Sequence, residues 1–155
     1  MTDRIEIRDI PERRLIGVPH KGPYDQISAA FARLDEILDR DTLRARAGAM
    51  VALFHDSPDE VPPAELRSFA AVEMDRGTAT PEGAEEVILP AGPAAVLAHH
   101  GSYTELPAAY DRLFGEWLPG SGRRPAGQPY ELYHNTPDEV AADRLVTDIH
   151  LPLEP

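Results

Sequence analysis

The segment Tyr130-Glu131-Leu132-Tyr133-His134 places a carboxylate and a phenol on alternate positions of an otherwise largely apolar stretch. Alternate side chains of an extended strand share a face, so Glu131 and Tyr133 point one way and Leu132 the other. A carboxylate among such neighbours can balance a cation or accept a proton, and a raised-pKa group beside tyrosines serves either role. The plainer reading is an edge-strand glutamate in water, because glutamates are almost never fully buried unless paired. This strand alone leaves both readings open, but another part of the chain supplies a control.

The chain repeats itself. His20-Lys21-Gly22-Pro23-Tyr24 is echoed 79 residues further on by His99-His100-Gly101-Ser102-Tyr103. The same offset carries Arg33-Leu34 onto Arg112-Leu113, Leu53-Phe54-His55 onto Leu132-Tyr133-His134, and Pro58-Asp59-Glu60-Val61 onto the identical string from Pro137 to Val140. Such self-similarity marks two copies of one supersecondary unit, about residues 3–76 and 82–155, within a single domain spanning 1–155. Ala52 and Phe54 then stand where Glu131 and Tyr133 stand in the second copy. A carboxylate in place of an alanine points to a task for charge rather than to a need of the framework. If Leu53 and Leu132 face the helices, Glu131 and Tyr133 face the opposite side of the sheet.

Each copy reads as strands, a helix and a hairpin. Ile27, Phe31, Leu34, Ile37 and Leu38 fall on one helical face, as do Leu106, Tyr110, Leu113, Trp117 and Leu118. Pro107 must lie in the first turn, which favours Thr104 as N-cap, matched by Asp25 in the first copy. Extended stretches rich in Val, Leu and Ile precede and follow each helix, and Pro119 to Pro129 reads as a glycine-containing loop. Two such units predict an α+β fold: one curved antiparallel sheet with both helices on one face and a ligand cleft on the other.

Other chemistry is excluded or unsupported. The formal net charge of -12 gives no basic footprint for nucleic acid or an anionic membrane. No apolar run is long enough to span a bilayer and the N-terminus lacks a secretory pattern, so the expected location is cytoplasmic. Without cysteine there are no disulfides or thiolate sites. His99 and His100 would point to opposite faces of a strand, and His20, His55 and His134 recur with the repeat, so no metal is expected. Lys21 is the only lysine, which leaves no phosphate-binding Gly-Lys-Ser or Gly-Lys-Thr motif, and no cofactor is expected.

Gly-Pro-Tyr and Gly-Ser-Tyr before the helices, Glu131-Leu132-Tyr133-His134-Asn135 followed by Pro137, and the ending Thr147-Asp148-Ile149-His150-Leu151-Pro152-Leu153 together resemble the gyrase inhibitor-like small-molecule-binding family. That family also supplies effector-binding domains of AraC-type and MerR-type regulators; no helix-turn-helix accompanies the repeat here, so this looks like a freestanding member. The resemblance implies two paired modules and a pocket glutamate that meets cationic aromatic ligands, a role carried over to Glu131. Tyr103, Tyr110, Tyr133, Phe54 and Trp117 would then stack a planar ligand, with cation–π contact adding about 0.5 to 2 kcal/mol. Helix aromatics such as Tyr110 and Trp117 also fit a plain core role. Many members carry tyrosine where this chain has His150, which puts an imidazole in place of a phenol at that contact.

The resemblance implies two further activities. Some freestanding relatives hydrolyse cyclopropane rings in DNA-alkylating natural products; Glu131 would then be the general base, with Tyr133 or Tyr103 donating to developing negative charge. The family is named for a gyrase inhibitor, so gyrase or another protein is a conceivable partner for the acidic surface.

Overall fold

A computed structural model describes residues 4–155, so the copy boundary at residue 3 lies outside the described residues. In chain order the elements are β1 (Ile5–Ile10), β2 (Arg13–Lys21), α1 (Ser28–Arg40), β3 (Met50–Phe54), β4 (Arg67–Glu73), β5 (Glu85–Leu89), β6 (Gly92–His100), α2 (Leu106–Asp111), α3 (Leu118–Ser121), β7 (Tyr130–Tyr133) and β8 (Val146–Pro152). A π-helical stretch, Arg112–Trp117, joins α2 to α3. The class is α+β, as expected, and the strand pairings are antiparallel.

The chain forms two compact units: a first of Glu12–Pro90, and a second of the residues up to Pro11 together with Ala91–Pro155. In the first, strands run in the order β3-β4-β2-β5; in the second, the order β7-β8-β6-β1 repeats it. Sequence copies and compact units therefore differ by one strand each, because β1 completes the second unit and β5 the first. Prolines explain why β1 does not fold back on β2. Pro11 follows β1 and its repeat equivalent Pro90 follows β5. A two-residue hairpin needs positive φ at its first central position, which proline cannot adopt, so each strand pairs elsewhere.

Each unit packs one helix on one face of its strands. In the first, Ala30, Leu34 and Leu38 of α1 meet Ile16, Val18, Ala70 and Val72. In the second, Ala109 and Leu113 meet Ala95, Leu97, Ile149 and Leu151, with Tyr110 and Trp117 packed alongside. Burying each of the leucines, isoleucines and valines among these contributes about 1.5–3 kcal/mol, which fixes the helix to its sheet. The strand-to-helix turn is the same in both copies. Gly22 and Gly101 have φ of 127° and 131°, and their N–H groups reach the carbonyls of Leu66 and Leu145 at 2.8 and 2.9 Å. A side chain at either glycine would be strained.

The second helix departs from the expected start, although a 3₁₀ turn, Tyr24–Gln26, precedes the first helix as well. Tyr103–Glu105 form a 3₁₀ turn, and Ser102, rather than Thr104, caps it by accepting from the Thr104 N–H at 3.2 Å; α2 begins only after Glu105. Pro107 sits in the first turn of α2, where its missing N–H leaves no helical bond unmade, and the 3₁₀ turn before it moves the cap back to Ser102. At the other end the helix runs on to Ser121, into the stretch expected to be loop, and Leu118 N–H bonds to the Leu113 carbonyl five residues back. Pro119 accounts for the widening. It has no N–H for the Gly115 carbonyl and its ring would crowd that oxygen, and a wider turn relieves both.

Candidate functional site

The site lies within the second unit, on its helix-covered face. Across β6, β8 and β7 the register sets Leu97, Ile149 and Glu131 in one row and His99, Thr147 and Tyr133 in the next. Leu97 and Ile149 belong to the core beneath α2, so Glu131 and Tyr133 point at the helix. This reverses the orientation expected from the sequence. Leu53 and Leu132 lie on the opposite face and are buried there as well; a leucine in a strand covered on both sides does not mark the helix side.

Glu131 is 6% exposed. The Tyr110 hydroxyl on α2 donates to Glu131 Oε2 at 2.5 Å, and the Tyr133 hydroxyl donates to Oε1 at 2.7 Å. The carboxylate thus holds strand and helix together through two phenols, and no arginine or lysine is bonded to it among the described residues. Burial pushes its pKa up, while the two phenols and the nearby His99 pull it part of the way back. Burial also raises Tyr133 well above the ordinary phenol range, reinforced by the Glu131 charge, so Tyr133 stays a neutral donor.

Tyr103 closes one side of this cluster, its ring 5.8 Å from that of Tyr133 in an edge-on arrangement. Burial and then the Glu131 charge raise its pKa. The Tyr110 ring lies parallel to Phe114 at 6.4 Å, and Phe114 is partly exposed. Four of the seven residues singled out in the sequence, Glu131, Tyr133, Tyr110 and Tyr103, are therefore brought together. Trp117 packs against the core. His150 is on the opposite face of the strands, stacked on Tyr130 at 4.6 Å; it alternates with Ile149, so it cannot share a face with Glu131. Phe54 belongs to the first unit, where its ring lies 4.8 Å from Tyr24.

Two neighbours were missed. His99 is buried beside the cluster, with Nε2 at 3.0 Å from the Ser102 carbonyl. Thr147, between His99 and Tyr133 in the register, is fully buried, and its hydroxyl has no hydrogen-bond partner among the described residues. The repeat gave no signal for either, since His20 and Ser68 occupy the equivalent positions; only the strand register reveals them. Among the described residues no group of three His, Asp or Glu side chains could hold a metal ion, and no helix is long and apolar enough to cross a membrane.

Residues 3–154 match the GyrI-like small molecule binding domain. The chain belongs to that family. Among GyrI-like relatives, a DNA gyrase inhibitor of Serratia proteamaculans is 32% identical over 141 residues, 87% of this chain and 88% of that one. The C-terminal domain of EcmrR superposes with a TM-score of 0.75 at 20% identity, covering 99% of both chains. The structure of SAV2435 bound to tetraphenylphosphonium superposes with a TM-score of 0.65 at 12% identity, covering 97% of this chain and 94% of that one. These two likenesses describe the fold.

Proposed function

We propose that this GyrI-like chain binds aromatic, cationic small molecules, with Glu131 as counter-charge and Tyr103, Tyr110 and Tyr133 as the aromatic wall. The observation that carries this reading is a buried carboxylate held by two neutral phenols rather than by a basic side chain. Burying an anion without a cation is costly, and an incoming cation is the partner that offsets the cost. The rings around it add quadrupole attraction for the same ligands. The complex of SAV2435 with tetraphenylphosphonium supports the ligand class.

Cation affinity should rise with pH. Glu131 has a raised free-state pKa, so at low pH the site is neutral, and the counter-charge appears as pH climbs through that pKa. Binding should release a proton near the midpoint. Calorimetric titration with tetraphenylphosphonium and with rhodamine 6G, on wild type and Glu131→Gln, tests this. Saturable micromolar binding that the amide variant loses is the expected result; wild-type protein that binds neither probe overturns the reading.

Two other readings rest on particular observations. The raised pKa of Glu131 also suits a general base, which would take a proton from the water that opens a cyclopropane ring, with Tyr133 donating to the negative charge that develops. Turnover of a cyclopropane-bearing substrate by wild type and not by Glu131→Gln would favour it. Relatives named DNA gyrase inhibitor suggest gyrase as a partner, and unaltered gyrase supercoiling in the presence of the protein would dismiss that.

A further inference from the structure

We propose that two copies of this chain associate through β1, edge to edge and antiparallel, about a twofold axis that sets Ile7 opposite Ile7 of the second copy. β1 is the outermost strand of its unit and, among the described residues, pairs only with β6. Its other edge therefore presents unpaired backbone donors and acceptors, a template for a further strand.

The two equivalent edge strands differ in how they meet that hazard. β5 carries Glu85 and Glu86 side by side, and Arg14 at 2.6 Å attends only Glu86. A second strand with the same charges would be repelled. β1 reads Ile5-Glu6-Ile7-Arg8-Asp9-Ile10, with unlike charges flanking Ile7, a large apolar side chain left 47% exposed. No lysine, proline or repeated charge guards it.

Register decides the partner. Antiparallel pairing requires outward-bonding residues to meet outward-bonding residues, and side chains on one face to meet those on the same face. Ile7 opposite Ile7 satisfies both, because odd positions then meet odd ones and even meet even. Glu6 faces Arg8 of the second copy, and by symmetry Arg8 faces the second copy's Glu6. Shifting the register to set Glu6 opposite Glu6 also sets Arg4 opposite Arg8, which places like charges together twice. The shift the other way sets Arg8 opposite Arg8. A slip by one residue mismatches the faces. Of these three in-phase registers, only Ile7 opposite Ile7 joins unlike charges across the axis and buries Ile7 against its own copy. In a single chain, Glu6 is bonded by the exposed Arg8 and Arg4, each at 3.2 Å, so the carboxylate is already directed at an arginine and exchanges a local partner for a cross-strand one.

The test is sedimentation velocity of the full chain across a concentration series, with thermal melts to confirm folding. Wild type should show a concentration-dependent dimer. Glu6→Arg or Arg8→Glu alone sets like charges opposite at both symmetry-related pairs and should weaken association about tenfold or more. Combining Glu6→Arg with Arg8→Glu swaps the charges and should restore it, which separates pairing from misfolding. Ile7→Lys should give monomer. The proposal is overturned by a wild-type monomer up to near-millimolar concentration, by a dimer insensitive to the three single changes, or by a charge swap that fails to restore association.

Discussion

The two units place the same backbone under different side chains. In the first, Ala52, Phe54 and Phe31 line the helix-covered face; at the equivalent positions the second carries Glu131, Tyr133 and Tyr110. Ala52 is fully buried and pairs with Ala70 in a core that contains no charge. Three changes introduce one carboxylate and two hydroxyls, and the oxygens bond to one another. The aromatic pair beside them is retained, Tyr24 with Phe54 in one unit and Tyr103 with Tyr133 in the other. Their hydroxyls diverge, however. Tyr24 donates to the Asp56 carbonyl at 2.6 Å, whereas Tyr103 makes no hydrogen bond among the described residues. One unit thus shows what the scaffold needs, and the other shows what has been added to it.

Moving the carboxylate into the unit that lacks the phenols should have the largest effect. Ala52→Glu would bury an acid between Phe54 and Phe31 with nothing to donate to it, at a cost of about 3–5 kcal/mol. Thermal unfolding should register a loss of many degrees. Adding Phe54→Tyr and Phe31→Tyr should recover part of it. If Ala52→Glu melts like wild type, the phenols are not what makes Glu131 tolerable.

The reverse conversion tests function. Glu131→Ala with Tyr133→Phe and Tyr110→Phe gives the second unit the apolar set of the first. Removing one member of a desolvated charge pair typically costs about 2–5 kcal/mol of binding, so affinity for tetraphenylphosphonium should fall about a hundredfold while the protein stays folded. Calorimetry reads the first and circular dichroism the second. Retained affinity would place the cation site elsewhere.

A subtler contrast appears in stability against pH. Glu131 has a folded-state pKa above its unfolded value, so the folded state binds the proton more tightly. Its contribution is favourable below the unfolded pKa and is lost as pH rises through the folded one. Glu131→Gln lacks this titration and should melt a few degrees higher than wild type at pH 8, with the gap closing as pH falls below the usual carboxylate range. A gap independent of pH would contradict a carboxylate strained by burial.

How much of this was legible beforehand follows from what a repeat can and cannot show. The offset between copies exposed Ala52 against Glu131 and Phe54 against Tyr133 without any structure, because side-chain differences on a shared backbone are written in the sequence. Strand order was not legible. The departure of β1 and β5 to the other copy's strands depends on long-range pairing, for which Pro11 and Pro90 were the only local sign. The facing of Glu131 was not legible because Leu53 and Leu132 are buried although they lie on the face away from the helix. His150 was carried into the site by analogy of position, and the alternation of β8 removes it. Thr147 stayed hidden because both copies place a buried, unpartnered hydroxyl there.

The smallest expected effect concerns the division of labour between the two phenols. Tyr110 reaches Glu131 from the helix and Tyr133 from the same strand, at 2.5 and 2.7 Å. Each bond favours the ionised acid and lowers a pKa that burial has raised. Tyr110→Phe restores the side chain of Phe31 and removes one bond while leaving the other, so the pH midpoint for cation binding should move up by about one unit or less. Tyr133→Phe should do the same. The two differ in what else they change: Tyr110 ties α2 to the strand, so its loss should also loosen that helix, visible as faster amide exchange across α2, whereas Tyr133 lies within β7 and should leave α2 exchange unchanged. A midpoint shift without altered exchange in Tyr110→Phe would mean that the packing of Leu113 and Ala109 alone fixes the helix, and that the phenol acts only on the charge.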